Sequence, residues 1–211
     1  MEQLLKPIYQ AVIDGDLDAA KERVLERISK GADPEVILHE ALIPAMDEVG
    51  SRYESGEYFV PEMLIAARAM QAAMGILKPL LVEKKVKPMG KVLFGTVKGD
   101  IHDIGKNLVV MMMEGAGFEI KDMGVDVPPE AFIASLRTDP VDIVALSALI
   151  TTTLPALKTT IDALCEAGLR EQIKIIVGGA PVTAEFAKEI GADGTAIDAG
   201  QAVKLAKSLI A

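Results

Sequence analysis

The sequence predicts an α/β protein in which an N-terminal four-helix bundle is followed by a doubly wound sheet of five parallel strands. Up to about residue 82, apolar residues recur at the spacing of amphipathic helices. Beyond Gly90, short β-branched runs alternate with helical segments, the pattern of a parallel sheet covered on both faces. Between them lies a charged stretch that ends in Pro and Gly, as exposed linkers often do. We therefore expect a helical domain over residues 1–88 and a Rossmann-like domain over residues 89–211.

Three breaks divide the N-terminal half into four helices. They lie at residues 14–16 (Asp-Gly-Asp), 31–34 (Gly-Ala-Asp-Pro) and 55–57 (Ser-Gly-Glu). Asp33 is a good N-cap and precedes Pro34 at the first helical position, and Pro61 is expected to open the fourth helix in the same way. His39 falls on a predicted helix without a nearby ligand partner, so we expect it on the surface.

The C-terminal half contains five strand signals, each followed by a helix signal. The predicted strands are residues 91–97, 119–123, 142–146, 173–177 and 194–197. The predicted helices are residues 106–115, 129–136, 154–167, 183–190 and 201–209. Because crossovers are right-handed and connections short, the expected architecture is flavodoxin-like, with strand order 2-1-3-4-5. A ligand should then lie above the carboxyl ends of strands one and three, near residues 98–105 and after Leu146.

The amino-acid composition argues against several classes of function. A net charge of -9, with no Trp, three Tyr and five Phe, is unlike a nucleic-acid-binding surface. The single cysteine, Cys165, cannot form an intramolecular disulfide or a thiolate cluster. The N-terminus lacks a long apolar segment of the signal-peptide type, and no run approaches the roughly 20 apolar residues of a membrane span. We expect a cytoplasmic protein that binds neither nucleic acid nor membrane.

The loop after the first predicted strand carries the strongest chemical signal. A neutral imidazole is the commonest metal ligand among side chains, which makes His102 a candidate ligand. Asp100 could accept a hydrogen bond from the other ring nitrogen and so fix the tautomer. Gly99 and Gly105 would let the backbone lie against a flat ligand. The alternative is an ordinary turn rich in Asp and Gly. The loop residues expected to contact a ligand are Gly99, Asp100, Ile101, His102, Asp103, Ile104 and Gly105.

Three motifs together resemble one family. They are Asp100-x-His102-x-x-Gly105, then Ser147-Ala-Leu149 after 41 residues (106–146), then Gly178-Gly179 after a further 28 (150–177). Each falls at the end of a predicted strand. In order and spacing the motifs resemble those of the corrinoid-binding family, which includes the cobalamin module of methionine synthase and the small corrinoid proteins of methylotrophic systems. The resemblance covers nearly the whole chain.

This resemblance implies a cobalamin or related cobamide, bound base-off with His102 as the lower axial ligand to cobalt. Ser147 would hydrogen-bond the displaced base, Leu149 would line its slot, and Gly178 and Gly179 would leave room for the nucleotide tail. Asp100, His102 and Thr153 would form the catalytic hydrogen-bonded chain, with Thr153 at the position of a serine in the family. Thr151 and Ala199 would also contact the cofactor.

The N-terminal half resembles the helical cap of the same family, which covers the methyl-bearing face of the corrin. The resemblance implies cofactor contacts for Phe59, Met63, Ala66 and Met70. Met and Ala at helical spacing also occur simply as core residues, so both interpretations stand at this stage.

The implied function is that of a methyl carrier. A substrate methyltransferase would place a methyl group on cobalt, and a second methyltransferase would pass it to a pterin such as tetrahydrofolate or to a thiol. A reductive activase is a third expected partner. The alternatives are a subunit of an adenosylcobalamin mutase, a cobalamin-binding sensor and a flavodoxin-like response module. The chain shows neither a mutase barrel nor a signalling element nor an obvious phosphorylation site.

Overall fold

The computed structural model describes residues 3–210. The chain divides into two compact units, which we describe separately. One unit runs to Pro88 and includes Met111–Gly117, and the other contains Met89–Val110 and the described residues from Phe118 onward. The helix that contains residues 104–115 therefore contributes to both units.

The four helices predicted for the N-terminal half are confirmed, and the third is interrupted by a wider turn. The helical segments are α1 (Lys6–Ile13), α2 (Leu17–Ser29), α3 (Pro34–Ile37), α4 (Ile43–Glu54) and α5 (Val60–Glu83). A π-helical turn, Leu38–Leu42, joins α3 directly to α4. There the N–H of Ile43 donates to the carbonyl of Leu38, just before Pro44, which has no N–H to donate. Asp33 caps α3 by accepting from the N–H of Glu35, as predicted.

The long helix α5 forms much of the core of this unit. It buries eight residues, including Met63, Ala66 and Leu77. Over an 18-residue window its mean hydropathy is 1.3, and 39% of that window is buried inside the protein. By length and composition alone this helix could cross a membrane, contrary to the expectation that no such segment occurs. Core helices of soluble bundles have the same composition, so hydropathy does not separate the two cases.

The second unit is the predicted five-stranded parallel sheet, with the predicted order β2-β1-β3-β4-β5. Its strands are β1 (Lys91–Thr96), β2 (Glu119–Asp122), β3 (Ile143–Ser147), β4 (Lys174–Gly178) and β5 (Gly194–Thr195). Its helices are α6 (Ile104–Gly115), α7 (Pro129–Thr138), α8 (Leu154–Glu166), α9 (Ala184–Glu189) and α10 (Ala199–Ile210). Two helices begin two residues earlier than predicted, each after an aspartate. Asp103 accepts the first helical bond of α6 from Asn107, and Asp198 accepts from the N–H of Gln201 in α10.

Strand register brings the three motifs side by side. Thr96 at the end of β1 pairs with Ser147 of β3, and Ser147 pairs with Gly178 of β4. The carboxyl ends of these strands therefore lie in one row, at the point where the strand order reverses between β1 and β3. Below this edge, the strands bury apolar side chains such as Leu93 and Val144.

Candidate functional site

Asp100 is the centre of the site. It lies in the loop between β1 and α6 and is completely buried. One carboxylate oxygen, Oδ1, accepts hydrogen bonds from the main-chain N–H of His102 (3.0 Å) and pairs with its ring Nδ1 (2.7 Å). The other, Oδ2, accepts from the N–H of Leu149 (2.8 Å) and the hydroxyl of Thr153 (2.7 Å). The loop and the segment after β3 are thus joined through one carboxylate.

These donors also determine the charge state of Asp100. Burial by itself would raise the pKa of the Asp100 carboxyl, because it disfavours the charged form. The hydrogen bonds from Thr153, His102 and Leu149 outweigh burial and hold this pKa well below its usual range. Asp100 is therefore an acceptor for the imidazole at neutral pH.

The His102 ring is fixed by Asp100 and faces solvent. Its side chain is 45% exposed although its partner is fully buried. With Nδ1–H donating to the carboxylate, the lone pair of Nε2 is the one available to a metal ion. Residues 3–210 contain no group of three or more His, Cys, Asp or Glu that could hold a metal ion. His102 is thus suited to be a single axial ligand for a metal that brings its other ligands with it.

Two residues that sequence analysis missed support the loop. The buried hydroxyl of Thr96 donates to the carbonyl of His102 (3.0 Å). Asp126 accepts from the N–H of Gly99 (2.8 Å) and from Lys98 Nζ (3.0 Å), which lowers the pKa of Asp126. Asp126 has a positive φ of 55°, a conformation that Asp tolerates better than most residues. The only sequence signal was its position in a turn after the second strand.

The Gly178-Gly179 pair contains two different environments. A Cβ at Gly179 would lie 1.8 Å from the carbonyl oxygen of Ala148, and Gly179 has a φ of 130°. A Cβ at Gly178 would meet nothing within 4 Å. Gly179 is therefore required by the fold itself, whereas Gly178 leaves open space at the edge of the sheet. Ser147 beside it is partly buried.

The other predicted loop and sheet residues lie around this edge. Gly99 has a φ of 85°, and a Cβ at Gly105 would meet nothing within 4 Å. Thr151 is exposed, and Ala199 is buried at the start of α10. Asp103 is exposed beside His102. Contacts of these residues with a cofactor stay predictions.

Apolar side chains are exposed on the same loops. Ile101 and Ile104 are 73% and 86% exposed, on either side of His102. Leu149 and Ile150 are exposed after β3, and Val125 after β2. Exposed apolar groups gathered around polar ones are typical of a binding face. This edge could therefore contact a large, partly apolar ligand.

The predicted cap residues fall into two groups within the helical unit. Phe59, immediately before α5, is 65% exposed, whereas Met63, Ala66 and Met70 on α5 are buried. Burial matches the interpretation of these three as core residues, and exposure leaves Phe59 available to a ligand. Their contact with a corrin stays a prediction.

Comparison with known families identifies the chain. Two family models, each described as a B12 binding domain, match residues 90–204 and 4–78. The chain belongs to the B12-binding family. Its relatives include "Dimethylamine corrinoid protein 1" of Methanosarcina acetivorans, which is 43% identical over 211 residues, 100% of this chain and 99% of the relative.

Solved structures of the B12-binding family share the fold. A cobalamin-binding protein from Desulfitobacterium hafniense has a TM-score of 0.81 and 35% identity, with 98% of each chain covered. A chain of the methanol:cobalamin methyltransferase complex from Methanosarcina barkeri has a TM-score of 0.87 and 31% identity, covering 99% of this chain and 80% of that one. The family membership predicted from the motifs is thus confirmed, and so are the five-stranded sheet and the N-terminal helices predicted from apolar periodicity.

Proposed function

We propose that this protein binds cobalamin or a related cobamide base-off, with His102 as the lower axial ligand, and carries a methyl group on cobalt. The observation that carries the proposal is the 2.7 Å contact between His102 Nδ1 and the buried Asp100, which leaves Nε2 for the metal. The matched family and the named corrinoid relatives support the choice of cofactor.

The residues at the carboxyl edge of the sheet fit such a group. Ile101 and Ile104 offer apolar surface to a flat macrocycle beside the ligand. The open space at Gly178 would accommodate part of the nucleotide tail, with Ser147 hydrogen-bonding the displaced base. When bound, the cobalt would make and break the bond to the methyl group.

The protein's own contribution is to orient the imidazole and to keep a proton on its Nδ1 atom. Asp100 keeps Nδ1 protonated and the ring in one orientation. The adjacent carboxylate would share the Nδ1 proton with an imidazole that has no metal partner. Thr153 donates to the same carboxylate and limits how strongly it holds that proton. Asp100, His102 and Thr153 would therefore act together.

As a carrier, the protein would work with two methyltransferases. One would deliver the methyl group from a substrate, and the other would pass it to a pterin or a thiol. The Methanosarcina acetivorans relative is named for dimethylamine, and one similar chain occurs in a methanol:cobalamin methyltransferase complex, which supports a methyltransferase partner. A reductive activase and a cytoplasmic location belong to the same proposal.

The ligand assignment is tested by spectroscopy of protein reconstituted with cobalamin. In the cobalt(II) state, the electron paramagnetic resonance spectrum should show splitting by one axial nitrogen. Protein containing isotopically labelled histidine should show the altered splitting of the labelled nucleus. His102→Ala should abolish this response, and His39→Ala, which removes an exposed histidine of the helical unit, should retain it. A label-independent spectrum in the wild type would contradict His102 ligation.

Carriage of the methyl group is tested separately. The partner methyltransferase would be recovered by pull-down. The bound corrinoid would first be reduced to cobalt(I) with a chemical reductant, and methylamines, methanol and methoxylated aromatics would then be supplied as donors to the reconstituted pair. Methylation of the bound corrinoid by one donor is the expected result. Failure with every donor, despite a His-on corrinoid, would contradict the carrier role.

A further inference from the structure

A second chain of hydrogen bonds begins at Asp103, the residue after His102. The side-chain amide of Asn107 donates to Asp103 Oδ2 (3.0 Å). Its amide oxygen accepts from Lys106 Nζ (2.8 Å). Lys106 Nζ also forms an ion pair with Asp122, the last residue of β2. These hydrogen bonds therefore connect the loop that contains His102 to the end of β2.

The central member of this chain is a buried cation. The side chain of Lys106 is 1% exposed, whereas that of Asp122 is 34% exposed. Burying an ammonium costs free energy that an ion pair recovers only in part, and an apolar side chain of the same length would fill the space without that cost. A buried ion pair is thus weak evidence for a stabilising role. Its place in the first turn of α6 favours a role in fixing geometry.

We propose that Lys106 is a positioning residue for the His102 loop. Through Asn107 and Asp103 it holds the main chain that follows His102, while Asp100 holds the ring itself. Two anchors on either side of one residue restrict its orientation before any ligand arrives, which lowers the cost of binding. This inference rests on the proposed function of His102 as the axial ligand.

The test replaces Lys106 with methionine, which keeps most of the length of the side chain and removes the charge. The matched control is Arg170→Met. Arg170 pairs with Asp193 at 2.9 Å, with both side chains about one-fifth exposed, where the chain enters β4 and β5 at the opposite edge of the sheet. Asp122→Asn is the second variant, because it keeps the size of the side chain and a hydrogen-bond acceptor for Lys106 and removes only the negative charge.

Hydrogen exchange of the cofactor-free protein gives the first readout. In Lys106→Met, amides of residues 102–107 should exchange about tenfold faster than in the wild type, beyond any change in global stability. Asp122→Asn should act in the same direction. Arg170→Met should change these amides only as much as it changes global stability.

Reconstitution with cobalamin gives the second readout. Lys106→Met should raise the dissociation constant about tenfold and reduce the fraction of cobalt(II) protein that shows the histidine splitting. Arg170→Met should retain the wild-type spectrum. If Lys106→Met shows the amide exchange and the spectrum of the wild type, the positioning role is wrong. It is also wrong if the faster exchange and the weaker histidine splitting are fully explained by the loss of global stability. Absence of histidine splitting in the wild type would contradict the proposed function, and hydrogen exchange would still decide the role of Lys106.

Discussion

The two edges of the parallel sheet use carboxylates for different purposes. At the amino edge, Asp142 accepts from the N–H of Lys91 and Asp193 accepts from the N–H of Ile175, each at 2.7 Å. These carboxylates tie one strand to the next. At the carboxyl edge, Asp100 instead accepts hydrogen bonds from two loops. One of its donors is the imidazole ring of His102. The same interaction joins neighbouring strands at one edge and orients an imidazole ring at the other.

The largest expected effect comes from removing a carboxylate at each edge. Asp100→Ala would remove the acceptor of the Leu149 N–H and leave the Thr153 hydroxyl only the carbonyl of Ile150, and it should lower the free energy of unfolding by about 4 kcal/mol. Asp193→Ala should cost about 2 kcal/mol because its site is partly solvated. Denaturant unfolding of the cofactor-free proteins measures both.

Cofactor binding then separates the two edges. Asp193→Ala should bind cobalamin with the wild-type histidine splitting, whereas Asp100→Ala, where it folds, should lose that splitting. A wild-type splitting in Asp100→Ala would show that the ring is oriented without the carboxylate. The comparison between edges would then lose its basis.

Gly178 and Gly179, at the carboxyl edge, allow a second comparison, between two neighbouring residues of one motif. Gly179→Ala places a Cβ against the Ala148 carbonyl in an unfavourable backbone conformation, so it should destabilise the protein by about 3 kcal/mol. Gly178→Ala faces open space and should change stability by less than about 0.5 kcal/mol.

Gly178→Ala should affect the affinity for cobalamin even though it hardly changes stability. If the nucleotide tail uses the space at Gly178, Gly178→Ala should weaken binding although the cofactor-free protein is unchanged. Thermal unfolding and equilibrium binding together provide the measurement. Unchanged affinity in Gly178→Ala would place the tail elsewhere.

Much of the fold could be predicted from the sequence because its signals are local and repeated. Alternating strand and helix patterns gave the sheet order, and Asp33-Pro34 gave a helix start. The π-helical turn at Leu38–Leu42 was not predicted, because it depends on how a proline is accommodated inside a continuous helix. β5 is shorter than predicted, since only two of its residues pair with β4.

The site was predictable only where function requires particular residue types. His102 and Asp100 could be found from the motif, and Thr153 from the family resemblance that the motifs carry. The structure joins all three through one carboxylate. Asp126 and Lys106 could not, because their roles depend on which loop or strand end lies next to them after folding. Long-range contacts of ordinary turn and helix residues leave no pattern in one sequence.

The stability of the cofactor-free protein at acid pH should depend on the charge of Asp100. In the unfolded chain this carboxyl takes up a proton near pH 3.9, whereas the native carboxylate, with its lowered pKa, resists protonation. The contribution of Asp100 to stability is therefore fully present above that pH and is lost as the pH falls through the native pKa. Wild-type unfolding free energy should fall more steeply below about pH 4 than that of Asp100→Asn.

The control for this pH dependence is Asp126→Asn. Asp126 also has a lowered pKa, but its side chain is 45% exposed whereas Asp100 is fully buried, so its removal should reduce the acid slope less. Denaturant titrations at several pH values give the slopes. Equal slopes for wild type and Asp100→Asn would contradict a lowered native pKa.

Loss of a single hydroxyl should have a smaller effect than loss of the Asp100 carboxylate. Thr153 lies within hydrogen-bonding distance of both Asp100 Oδ2 (2.7 Å) and the carbonyl of Ile150 (2.9 Å), but its one proton can serve only one acceptor at a time. Thr153→Val should therefore cost about 1 kcal/mol of stability, and the exposed neighbour Thr152→Val almost nothing. Thr153→Ser should restore the wild-type value. Since Asp100 would keep its bond from Leu149 in Thr153→Val, histidine splitting should persist in that variant. Loss of the splitting would mean that the hydroxyl, rather than the carboxylate alone, determines the orientation of the imidazole.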